Sequence, residues 1–134
     1  METKDRAIEQ AQAQYESIVE ELAALDKAED EGKARYDGRM LDRDTILERF
    51  QEGPLSIQVR SEWCEPSDKM EAGEFEILLA AGRPACRIIG ELDGYKLPYN
   101  IQIQGQDWGT PWITYGAADP EVLFRYANLF WYGE

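Results

Sequence analysis

The chain has 134 residues, 27 aspartates and glutamates against 14 lysines and arginines, and no histidine, for a formal net charge of −13. One domain of that length buries roughly two thirds of its unfolded surface, so a self-sufficient core is expected. The missing histidines exclude histidine-based triads and general acid–base pairs, and two cysteines without CxxC spacing, Cys64 and Cys86, suggest neither a disulfide framework nor a structural metal.

The surplus of charge runs through the whole chain: residues 1–53 hold 15 acids against 8 bases, and residues 54–134 hold 12 against 6. Such a field repels bare nucleic acid and anionic membranes and draws basic protein surfaces, an attraction that weakens with salt. No apolar run approaches the ~20 residues of a membrane span, and the charged opening residues do not read as a signal peptide. The expectation is a cytoplasmic protein with reduced thiols, no cofactor and no bound metal. Solubility alone also accounts for an acidic composition.

From about Thr3 to Asp30 there is no proline or glycine, and Ile8, Ala11, Tyr15, Ile18, Leu22 and Leu25 recur at spacings of three and four. That periodicity predicts a helix with an a/d stripe. Glu9, Glu16 and Asp30 share an outer position of the same wheel, with Glu20 one turn after Glu16 and Glu21 alongside. A stripe of about three heptads either lies on the chain's own domain or pairs two copies, in which case Ile8, Tyr15, Ile18, Leu22 and Leu25 are the dimer seam.

Residues 29–43, charged and broken by Gly32 and Gly38, read as a turn or flexible hinge. A short second helix is expected next, with Thr45 and Glu48 as a capping box, Ile46, Leu47 and Phe50 as its apolar face, and Gly53-Pro54 as its stop. Residues 1–53 thus form an acidic helical arm, and residues 54–134 an α+β domain.

Beyond Pro54 the period becomes twofold. Leu55, Ile57 and Val59 alternate with polar residues, as do Phe75, Ile77 and Leu79, and runs over 85–91 and 99–104 follow after turn signals. A four-stranded antiparallel meander results, with Gln58, Arg60, Glu74, Glu76, Arg87, Gln102 and Gln104 on its outward face. Asp119 as N-cap and Pro120 at the first helical position then start a last helix that packs on the sheet. The class is α+β in two layers.

Three groups of residues are candidates for function. Carboxylates one turn apart on a helix lie about 6 Å apart along the axis, close to the phosphate repeat of a nucleic-acid strand. Glu9, Glu16, Glu20 and Glu21, with Asp30, Glu74 and Glu76, therefore suit a Lys/Arg groove built for nucleic acid, although a solvated helix face explains the same spacing. The long connection over 105–118 carries Trp108 and Trp112, which serve either as partner-binding anchors or as plugs for the end of the core, with Asp107 and Thr110 capping backbone groups. Glu91, Asp93 and Lys96 resemble a nuclease pair with its lysine, but an Asp93-Gly94 turn explains them more simply.

The segments SIQVRSEW (56–63), EFEILLAAGRPACRIIGELD (74–93) and QDWGTPW (106–112), with the closing LFWYGE, resemble an uncharacterised family of small proteins from bacterial prophages and mobile elements. The resemblance covers about residues 55–134, in a family whose domain follows an acidic coiled-coil-like segment of varying length, and the chain departs from the pattern in its short helical arm and at Arg83. It implies a phage setting, where small acidic proteins often inhibit host defence, anti-CRISPR proteins among them. The leading expectation is a non-enzymatic inhibitor that covers the basic DNA-binding surface of a CRISPR-Cas complex or nuclease. The alternative is a dimeric phage adaptor that docks through the Trp108–Tyr115 loop.

Overall fold

In the computed structural model, which describes residues 3–82 and 84–133, three helices accompany two antiparallel sheets. The chain runs α1 (Thr3–Glu31), β1 (Lys33–Tyr36), β2 (Arg39–Asp42), α2 (Arg43–Glu52), β3 (Ser56–Ser61), β4 (Ala72–Ala80), β5 (Ala85–Leu92), β6 (Pro98–Gln106), β7 (Ile113–Thr114) and α3 (Pro120–Ala127). Strands β3 to β7 form a meander in chain order, so the class is α+β as expected. The sheet has five strands rather than four, because β7 arises inside the tryptophan-bearing connection and pairs Gln104 with Thr114 and Gly105 with Ile113. Arg83, where the family resemblance breaks, lies outside the described residues.

The heptad stripe is satisfied within the chain. Helix α1 packs along β5, β6 and β7 and against β1, α2 and α3. Ile18 is only 3% exposed, Leu22 and Leu25 are buried beside it, and Ile8 and Tyr15 are half-buried. The proposed dimer seam is therefore corrected: apolar side chains that would meet a second helix already meet the sheet, each contributing roughly 1.5–3 kcal/mol of burial. A single apolar cluster joins Ile18, Leu22 and Leu25 to Ile46 and Phe50 of α2, to Phe75, Ile77, Cys86, Ile88 and Ile103 of the sheet, and to Leu123 and Tyr126 of α3. Residues on both sides of position 53 share that core.

Close approach of α1 to the sheet depends on Gly105. A Cβ there would fall well inside van der Waals contact of the Ala7 carbonyl oxygen and meet the Ala11 methyl at 3.4 Å, so the helix seats small residues directly on the strand backbone. Gly90 serves similarly in β5, where a Cβ would come 2.7 Å from the Phe75 ring.

Residues 33–42 form a hairpin rather than a hinge. Its register, Lys33 with Asp42 through Tyr36 with Arg39, leaves a two-residue loop of Asp37 and Gly38, both at positive φ (52° and 78°). That is the Asp-Gly loop whose twist matches antiparallel strands. Helix α2 starts earlier than Thr45: Asp42 is its N-cap and its carboxylate accepts the Thr45 N–H at 2.8 Å. The Asp42 carboxyl is held below its ordinary value by its hydrogen bonds from Thr45. At α3 the expected start is observed, with the Asp119 carboxylate accepting the Glu121 N–H at 3.0 Å and Pro120 in the first turn.

Candidate functional site

At about 100° per residue, Glu9, Glu16 and Glu20 fall within roughly 40° of one another, on the side of α1 opposite Ala7, Ile18 and Leu22. All three are exposed, as is Asp30 in the last turn. Among the described residues none of the four takes part in an ion pair; Glu16 accepts one hydrogen bond, from the Gln12 amide at 3.0 Å. The last turn of α1 holds no basic residue, and Glu29, Asp30 and Glu31 stand where the helix dipole favours cations.

Glu21 does not belong to that stripe. It is half-buried on the flank that faces the β1–β2 hairpin, where the Tyr36 hydroxyl donates to Glu21 Oε1 at 3.4 Å. Burial raises its carboxyl above the ordinary glutamate value near 4.5, and hydrogen bonds from Tyr36 and Ser17 only partly offset this. Burial, and next the nearby Glu21 charge, likewise raise Tyr36. Both residues line a cleft of about 580 Å³ where α1, the hairpin and α2 meet, shared with Ser17, Glu20, Arg35, Asp37, Arg49 and Glu52.

Glu74 and Glu76, unlike the α1 stripe, are each paired with an arginine on the sheet's open face. Arg60 Nε donates to Glu74, its cross-strand neighbour, and Arg87 Nη1 donates to Glu76 Oε2 at 2.7 Å. Arg87 also donates from Nε to Gln104 Oε1 at 2.9 Å, and its guanidinium lies over the Trp112 ring, 4.2 Å from the centroid. The Gln104 amide in turn donates to Gln102 and to Thr114, both at 3.1 Å. Gln58, Arg60, Arg87, Gln102 and Gln104 were legible as one polar face from alternation alone. Their wiring needed the register of β4, β5 and β6.

The two tryptophans part company. Trp112 is half-buried beneath Arg87, whereas Trp108 is 58% exposed. Its neighbour Asp107 has a side chain only 4% exposed, and Arg6 Nε of α1 donates to Asp107 Oδ2 at 2.6 Å. The Thr110 N–H and Oγ1 both donate to the Asp107 carbonyl at 3.1 Å, closing a tight turn. The Arg6–Asp107 pair thus ties the turn that carries Trp108 to the first turns of α1. Arg6 carried no sequence signal for this role, since its partner lies 101 residues away.

Asp93 acts as a turn residue: its carboxylate accepts the N–H groups of Tyr95 at 2.8 Å and Leu97 at 3.0 Å. Among the described residues no group of three or more His, Cys, Asp or Glu side chains is arranged to hold a metal ion, and no helix is long and apolar enough to cross a membrane. Comparisons of the chain with protein-family models, with curated proteins and with solved structures found no match in any of the three.

Proposed function

We propose that this protein is a non-enzymatic binding module that covers a basic protein surface built for nucleic acid, using the outer face of α1. The observation that carries the reading is the stripe of Glu9, Glu16 and Glu20, exposed and without a counter-ion among the described residues, on a helix whose opposite side is fully used in the core. A rigid helix spaces carboxylates at a few Å along a line, which suits a groove of Lys and Arg organised around phosphates. The carboxylates at the C-terminal end of α1 support the same reading, since they stand against the helix dipole and give up local stability. The exposed Trp108 supplies an aromatic anchor elsewhere on the surface.

In its specific form the proposal is a phage-type anti-defence inhibitor that blocks DNA binding by a CRISPR-Cas complex or nuclease, the setting suggested by the resemblance of residues 55–134. We place the dimeric adaptor alternative second, because Ile18, Leu22 and Leu25 of the seam it requires are buried within the chain. The test is capture of basic nucleic-acid-binding proteins from a bacterial lysate at low salt, followed by measurement of the captured complex in rising NaCl. Affinity should drop steeply between about 0.05 M and 0.5 M, and joint reversal of Glu9, Glu16 and Glu20 to lysine should abolish binding. Affinity indifferent to salt, or retained by the triple variant, rejects the reading.

A further inference from the structure

The cleft between α1, the hairpin and α2 holds a carboxylate without its natural partner. Glu21 is half-buried, and within the described residues it joins no ion pair. It accepts hydrogen bonds from two neutral hydroxyls, a long one of 3.4 Å from Tyr36 and one from Ser17. The Tyr36 ring is braced from within by Phe50, whose centroid lies 6.3 Å away, and so forms a fixed aromatic wall. Glu20 belongs both to this cleft and to the acidic stripe, so a partner lying along α1 passes its mouth.

We propose that the cleft receives the guanidinium of an arginine side chain from the basic partner, with Glu21 accepting its fork and Tyr36 offering a face to stack on. This rests on the reading of the α1 stripe above and adds to it the side chain that is recognised. A cation is favoured because the lining carries four carboxylates, Glu20, Glu21, Asp37 and Glu52, against Arg35 and Arg49. Both arginines are exposed, so their charge is screened by water, whereas Glu21 is half removed from it. Arginine fits better than lysine because its planar fork binds a carboxylate through two parallel bonds, stacks on an aromatic ring and sheds water more readily than an ammonium. The desolvation that raises the Glu21 carboxyl is what a seated guanidinium would offset.

The test is an NMR titration of the intact chain with N-acetyl-arginine amide, and with N-acetyl-lysine amide and N-acetyl-aspartate amide as matched probes. Saturable shifts centred on Ser17, Glu21, Tyr36 and Gly53 are expected with the arginine probe, at least about fivefold tighter than with lysine. Glu21→Gln should weaken that binding at least about tenfold, and the exposed Glu52→Gln about two- to threefold. The spectrum of each variant reports directly that it is folded. Equal responses to arginine and lysine spread over the whole acidic surface, preference for the aspartate probe, or full binding by Glu21→Gln overturns the proposal. Reversing Glu9 and Glu16, which lie outside the cleft, should remove salt-dependent capture and leave the arginine titration intact. Salt-dependent capture without arginine binding therefore rejects the cleft alone, and arginine binding without capture rejects the stripe alone.

Discussion

Two residues show how single side chains, or their absence, govern the molecule. Gly105 is the point at which α1 rests on β6, and any Cβ there must displace the Ala7 backbone, which cannot give way like a side-chain tip. Gly105→Ala should cost about 3 kcal/mol or more in urea unfolding; a cost below ~0.5 kcal/mol would mean that the helix slides freely on the strand. Glu21 sets a pH dependence of definite sign. Its carboxyl is raised by burial, so between the ordinary value near 4.5 and its raised value the folded chain binds the proton more tightly than the unfolded one. Stability from this group is lost as pH rises through that window and stays lost above it. Relative to the parent, Glu21→Gln should therefore gain in melting temperature from pH 4 to pH 7. A gain that shrinks with pH would show instead that the Tyr36 bond makes the ionised form the stabilising one.

Among the elements, α1 was readable from its periodicity, and so was the alternation that built β3 to β6, because both patterns record which face is apolar. Asp119 and Pro120 fixed α3 for an equally local reason, a cap and a ring already set for the first turn. What covers the α1 stripe was not readable, since Ile18 and Leu22 fit a sheet or a second helix equally well and the sheet strands β5 and β6 that meet them lie more than 60 positions further along the chain. The hairpin was obscured by its charges, although Asp37-Gly38 carried the turn signal. The pairing of Glu74 and Glu76 with arginines depends on register, which no single strand contains. Ile18→Ala should lower stability by about 3 kcal/mol with an unfolding midpoint independent of protein concentration; a midpoint that rises with concentration would restore the dimer. Asp30→Lys, which puts a cation at the C-terminal end of α1, should raise stability by about 0.5 kcal/mol and weaken partner binding. If stability falls, the acids there are making contacts beyond the dipole.

At the scale of the molecule, a net charge of −13 is a mechanical load. Among the described residues six cations are engaged in ion pairs, three of them fastening distant segments: Arg6 to Asp107, Arg125 to Asp26 and Arg60 to Glu74. The excess of carboxylates repels itself, and added salt relieves that repulsion. The melting temperature should rise by a few degrees between about 0.02 M and 0.3 M NaCl. A flat melting temperature would indicate that the charges lie too far apart, or are too well hydrated, to strain the fold.

The seating of α1 on β6 has a further effect during synthesis. Helix α1 is translated well before the strand it rests on, so the nascent chain carries a bare apolar ridge until β6 has emerged. Contacts of such sequence separation slow folding, and until they close, the ridge is open to a neighbouring copy on the same messenger. Shielding during that interval comes from the carboxylates on the other side of the helix, whose mutual repulsion keeps two unfinished chains apart before there is any partner to bind.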